Sequence, residues 1–287
     1  MSVNELFAAL ATLSGVLFVT SSMLGMGMGL TVMQILRPLK EPGRVVVALA
    51  ANFVLVPLLA WLITLVLPMD QPLETGLLIL AASAGAPFLP KLVQGAKGDV
   101  AYAVGLMILL MVTTVIYLPL VLPLLLQGVS VSAWAILKSL VALMLVPLAV
   151  GLLIRSNWMA AGERWASVMN KVSGIAMLAL LVLGLGLNVS NIIDLVGSYG
   201  FLALLLLIGG TLLIGALLGG RERGARSVMT LGTAQRNVSA AIVVASQNFA
   251  GTITLPYVLV AAIVLLLVLL PVARRMGRVR PSPVEGV

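Results

Sequence analysis

Apolar residues run along this chain in stretches too long for strands and too continuous for half-exposed helices. They fall into nine stretches, roughly 6–30, 44–68, 74–97, 100–126, 132–154, 164–187, 196–219, 226–248 and 253–273. Each is close to the about 20 residues that a helix needs to cross about 30 Å of hydrocarbon. The period-two alternation of a membrane barrel is absent, so the pattern predicts helical spans and an all-α polytopic membrane protein.

Two spans interrupt the pattern with polar residues. The third contains "SAGAPFLPKLVQG" and the eighth "LGTAQRNVSAAIVVASQNF". Pro87 and Pro90 each lack an N–H and clash with the carbonyl one turn back. Gly85 and Gly95 loosen the backbone further. Freed backbone groups in hydrocarbon cost several kcal/mol each, so such breaks persist only where they face protein, water or substrate. The expected breaks lie near 86–91 and 233–237.

Composition and charge sharpen the picture. Of 287 residues, 61% are hydrophobic and 9% charged, against about 25% charged in soluble domains. Arg44, Lys97, Arg155, Arg164, Arg221, Arg223, Arg226, Arg274, Arg275 and Arg278 follow odd-numbered spans, as do Arg37, Lys40 and Arg280. The alternate loops carry Asp70, Glu74 and Asp194, with Lys138 the exception. Positive residues mark cytoplasmic loops, which puts the N-terminus outside and the C-terminus in the cytoplasm. The net charge of +8 then reflects loops rather than nucleic-acid binding. The start, "MSVNELFAAL", lacks a basic leader region, so a retained first helix is expected. Cysteine and histidine are absent, which removes thiolate chemistry and the commonest metal ligand.

With this orientation, the two broken spans run in opposite directions. The first span pairs likewise with the sixth, the second with the seventh and the fourth with the ninth, leaving the fifth alone. Matched broken helices in inverted halves point to a transporter site near the midplane. The expected organisation is one transmembrane transporter domain over 1–273, with inverted repeats at about 6–126 and 164–273, and a basic cytoplasmic tail over 274–287.

Several segments resemble the bile acid:sodium symporter family: "LGMGMGLTV" at 24–32, "AANFVLVPLLAW" at 50–61, "AKGDVAYAVG" at 96–105 and "GTAQRN" at 232–237. The resemblance covers about 22–273 and is to nine-helix bacterial-type members, which implies a bacterial inner membrane. It further implies a core domain holding two crossed broken helices, a panel domain beside it, and alternating access by movement of one against the other. Sodium-using members bind the ion behind the crossover through a Ser-Asn pair, hydroxyls one helix later, and an acidic residue with glutamine. In this chain those positions read Leu89, Pro90, Ala103, Met107 and Leu231, while Asn52 and Gln235 look retained. Sodium is a hard cation that takes several oxygens. Beside the breaks stand Lys91 and Arg236 instead, which are expected to hold the crossover together without an ion and to attract an anion.

The expected ion-site or crossover-stabilising residues are therefore Asn52, Lys91, Gln235 and Arg236. Those expected to bind substrate are Pro87, Phe88, Leu89, Lys91, Arg236 and Asn237. Gly25, Gly27 and Gly29 read as a helix-packing seam, Trp61, Trp134, Trp158 and Trp165 as interfacial anchors, and Pro119, Pro123, Pro147 and Pro271 as kinks. No phosphate loop, metal cluster, cofactor motif or nucleophile–base pair stands out, so no enzyme is expected. The sequence reads as a secondary transporter of an organic anion, bile acid-like or a small carboxylate, independent of sodium. Its partners are that anion and the lipid bilayer, with no nucleic acid. Two rival readings stand beside it: a sodium-coupled symporter with a degenerate ion site, and a channel-like or sensory membrane protein.

Overall fold

The structure, a computed structural model, describes residues 3–31, 33, 41–126, 132–187, 189, 195 and 198–278. Arg37, Lys40, Asp194, Arg280 and the tail over 279–287 lie outside the described residues. Among the described residues the regular structure is helical. In chain order the helices are α1 (Val3–Gly29), α2 (Pro42–Val66), α3 (Gln71–Ala82), α4 (Leu89–Gly95), α5 (Val100–Leu125) and α6 (Ala133–Asn157). They are followed by α7 (Met159–Gly186), α8 (Tyr199–Leu218), α9 (Arg223–Ala234), α10 (Val238–Asn248) and α11 (Thr254–Arg278). Seven of these are long and apolar enough to cross a membrane. The expected third and eighth spans are instead each a pair of short helices, α3 with α4 and α9 with α10.

Prolines shape two of the long helices. Pro57 has no N–H to give to the carbonyl of Phe53 one turn back. The helix widens to a π turn at Ala51–Leu55, and the Phe53 carbonyl accepts from the hydroxyl of Tyr117 at 2.6 Å. A matching π turn at Val141–Leu145 precedes Pro147 in α6. Pro119, Pro123 and Pro271 lie inside the continuous helices α5 and α11.

Helices α1, α6 and α7 pack mainly on one another. Gly27 and Gly151 allow this closeness, because a Cβ on either would strike the backbone of the facing helix. Of the expected glycine seam, Gly25 meets Met169 and Asn170, while Gly29 faces open space. The remaining helices form a second group with a repeating contact pattern: α2 lies on α3 as α8 lies on α9, and α4 on α5 as α10 on α11. The groups meet where α6 touches α5 and α10, where α1 touches α10, and where α7 touches α11. The outer surface is aliphatic, with Leu65, Val66, Leu120, Leu124, Ile175, Leu213 and Leu217 exposed. That surface suits hydrocarbon and not water.

Candidate functional site: the crossing of two broken helices

The first break begins earlier than the prolines suggest. Helix α3 ends at Ala82, Ser83 is extended, and Gly85 takes φ +80°. A Cβ on Gly85 would lie 2.6 Å from both the Met107 carbonyl oxygen and the Met111 Cα, so α5 leaves room only for glycine. Pro90 does not break a helix. It sits in the first turn of α4, where a backbone N–H has no intrahelical partner to lose. The expectation of a break over 86–91 is thus corrected to 83–88. Much of the freed backbone is satisfied from α5: the hydroxyl of Thr114 accepts from Ala84 N and donates to Ala84 O, both at 2.9 Å.

The second break falls where the sequence places it. Helix α9 ends at Ala234, Gln235 is extended, and Asn237 caps α10, its Oδ1 accepting from Ala240 N at 3.1 Å. The two breaks are bonded to each other. Asn237 N donates to Ser83 O at 2.9 Å, and Asn237 Nδ2 donates to Ala84 O at 3.3 Å.

Arg236 lies at the heart of this crossing and is 2% exposed. Its Nη1 donates to Ala81 O at 3.2 Å, and its Nη2 donates to Asn52 Oδ1 at 2.6 Å and to Thr233 O. Asn52 is held in turn, its Nδ2 donating to Ala48 O at 3.0 Å. Ala81 and Thr233 belong to the last turns of α3 and α9. Terminal helix carbonyls lack intrahelical donors and carry the negative end of the macrodipole. Two such ends and one amide oxygen therefore surround the guanidinium. A buried cation needs this compensation, and here it comes from dipoles rather than from a carboxylate. Three buried side-chain atoms beside it have no partner among the described residues: Arg236 Nε, Gln235 Oε1 and Thr233 Oγ1.

The structure brings Asn52, Gln235, Arg236 and Asn237 together with the first break and leaves Lys91 out. Lys91 lies on the exposed side of α4, its ammonium 5.8 Å from the centre of the Phe88 ring. Pro87 and Phe88 are half-buried. Leu89, Ala103, Met107 and Leu231 are buried in apolar packing, with Leu89 against Gly232. Thr114 and Tyr117, which bond to freed backbone groups, and Thr233, whose carbonyl accepts from Arg236, are members of this polar network that sequence reasoning missed. Their signal is a hydroxyl in an otherwise aliphatic span, which alone does not name a partner.

A chain whose described residues form helices, seven of them of membrane length, with two interrupted ones bonded to each other between them, is a polytopic integral membrane protein. Residues 16–195 match the model of the Sodium Bile acid symporter family, and the chain belongs to that family. It is similar to a probable sodium/metabolite cotransporter BASS2, chloroplastic, of Oryza sativa subsp. japonica, with 29% identity over 160 residues. That similarity takes in 55% of this chain and 38% of the rice protein, so the chain spans well under half the length of this relative.

Proposed function

We propose that this chain is a secondary transporter of an organic anion that works by alternating access without sodium. The observation that carries the reading is the guanidinium of Arg236, held by Ala81 O, Thr233 O and Asn52 Oδ1. Helix-end carbonyls and an amide oxygen are the kind of hard ligand that an alkali or alkaline-earth cation takes. In this chain a tethered cation already fills such a set. Two discontinuous helices in one membrane protein are the usual seat of substrate in a secondary transporter. The apolar burial of Leu89, Ala103, Met107 and Leu231 supports the same reading, because a bare ion there would keep its desolvation penalty.

On this reading Arg236 and Asn52 hold the crossover, with its polar groups spent on protein oxygens. The substrate anion meets the more open side of the first break at Pro87, Phe88 and Lys91. The chain forms one transporter domain over 1–273 made of inverted repeats, and the symmetric contacts α2–α3 with α8–α9, and α4–α5 with α10–α11, support that arrangement. It sits in a bacterial inner membrane with its N-terminus outside.

A second reading, sodium coupling through a reduced site, draws on the unpartnered oxygens Gln235 Oε1 and Thr233 Oγ1 and on the rice relative, named a probable sodium/metabolite cotransporter. A thermal-shift screen of the purified protein against small carboxylates and steroid conjugates identifies a ligand, since a ligand of the folded state raises apparent stability. Uptake of that ligand into proteoliposomes, in sodium and then in choline buffer, separates the readings. Equal uptake is expected, and a strict sodium requirement would overturn the proposal.

A further inference from the structure

The last two turns of α11 carry a feature apart from the crossing of the broken helices. Pro271, Arg274, Arg275 and Arg278 line an open cavity of about 380 Å³ at the basic end of the helix. Their spacing places all four on one helical face. The adjoining face is occupied by protein. Ala273 is buried, and Gly277 meets the backbone of Gly95 and Ala96 so closely that a Cβ on it would lie 2.5 Å from Gly95 O. The arginine face therefore points away from the bundle, and Pro271 and all three arginines are exposed. One turn above Pro271, on the same side, Leu267 is exposed to the extent of 68%. Along a single outward strip the helix thus changes from aliphatic to triply cationic within two to three turns.

Three positive charges so close together repel. Arg274 and Arg278 stand at i and i+4, a spacing at which like charges destabilise a helix. Among the described residues their guanidinium groups have no carboxylate partner within ion-pair distance, whereas Arg44 pairs with Glu41 and Glu222, and Arg155 with Glu163. Guanidinium is also the group whose planar fork matches two oxygens of a phosphate at once. Setting chain orientation requires only positive charge, for which lysine serves equally.

We propose that Arg274, Arg275 and Arg278 form a binding site for the phosphate headgroup of an anionic phospholipid, with the acyl chains lying along the strip that includes Leu267. The aliphatic continuation above the arginines selects a lipid over a free phosphate. The proposal is independent of what the protein transports and of whether it uses sodium.

The test uses the full chain in mixed nanodiscs of phosphatidylglycerol and phosphatidylcholine. Retained lipid is identified by mass spectrometry after transfer to detergent, and the melting temperature is measured with each lipid added back. Retention of phosphatidylglycerol over phosphatidylcholine is expected, with a rise in melting temperature from the anionic lipid alone. Both effects are lost in the variant R274Q/R275Q/R278Q. They persist in a control variant that neutralises Lys97, Arg164 and Arg221 and so loses the same net charge elsewhere. Should the triple variant fail to fold, R275Q set against R275K answers the same question, with loss in the first and retention in the second. Equal loss in the control variant would reduce the effect to net charge and overturn the site. An equal rise with glycerol phosphate alone would show a free-phosphate site and overturn the lipid assignment.

Discussion

Arg236 Nη2 and Asn52 Oδ1 lie 184 residues apart in sequence and meet at 2.6 Å in the middle of the protein. Asn52 sits in the π turn that precedes Pro57, so a proline in one helix sets the register at which an arginine in another finds its acceptor. Removing the acceptor leaves a buried guanidinium donor unpaired. Asn52→Ala is expected to destabilise the protein by about 1.5–3 kcal/mol, the range for hydrogen bonds to charged groups. Asn52→Asp keeps the acceptor and adds a countercharge, but it sets a carboxylate oxygen against the Ala48 carbonyl that Asn52 Nδ2 serves in the native chain, so it is expected to recover only part of that loss. Unfolding in mild detergent measures both, and an unchanged midpoint for Asn52→Ala would mean that the guanidinium does not depend on this contact.

Thr114 binds both the N–H and the carbonyl of Ala84. Thr114→Val keeps the shape and strips both bonds from buried backbone, with an expected loss of about 1–3 kcal/mol. Thr114→Ser keeps the hydroxyl and is expected to recover most of that loss. The same unfolding assay compares the two, and a valine variant as stable as the serine one would contradict the assignment.

Gly85 combines φ +80° with backbone contact against α5. Alanine there is strained by its left-handed backbone, roughly 1–2 kcal/mol, and by overpacking, typically about 1–3 kcal/mol more. Gly85→Ala is expected to lower yield and melting temperature sharply. Gly29→Ala, which meets open space, is expected to leave both unchanged and serves as the control.

The chain contains no cysteine, so single cysteines report topology without background. Asp70 begins the turn into α3, and Arg221 lies between α8 and α9. Asp70→Cys is expected to react with an impermeant maleimide from outside the cell, and Arg221→Cys only after the membrane is opened. The reverse pattern would invert the orientation.

Much of the architecture is legible in the sequence because one strong force writes it. A helix in hydrocarbon must be apolar over its whole length, so span positions follow from runs of Leu, Val, Ala and Ile. Seven of the expected spans match single helices to within a few residues, except at α7 and α11, where the helix reaches five residues beyond the expected edge, to Met159 and Arg278. The existence of two breaks is equally plain, since Gly85, Pro87, Pro90 and Lys91 cluster in one span and Gln235, Arg236 and Asn237 in the other, whereas the prolines elsewhere stand singly in aliphatic runs. The position of the first is not. Proline in a span points to a break, yet Pro90 starts a helix, and the chain turns at Gly85, where α5 leaves no room for a side chain.

Between two cations of equal standing in the sequence, only the packing distinguished. In the sequence Lys91 and Arg236 each stand beside an expected break. α4 turns Lys91 to the exposed surface, whereas the second break carries Arg236 into a ring of oxygens from α2, α3 and α9. The membrane class, the spans and the presence of two interrupted helices are written in the order of the residues, because hydrophobic burial in a bilayer acts locally along each helix. Which cation is buried and which hydroxyls serve the breaks depends on the packing of the helices. A buried charge or a freed carbonyl is satisfied by whichever distant group reaches it, and that reach depends on how all the helices pack.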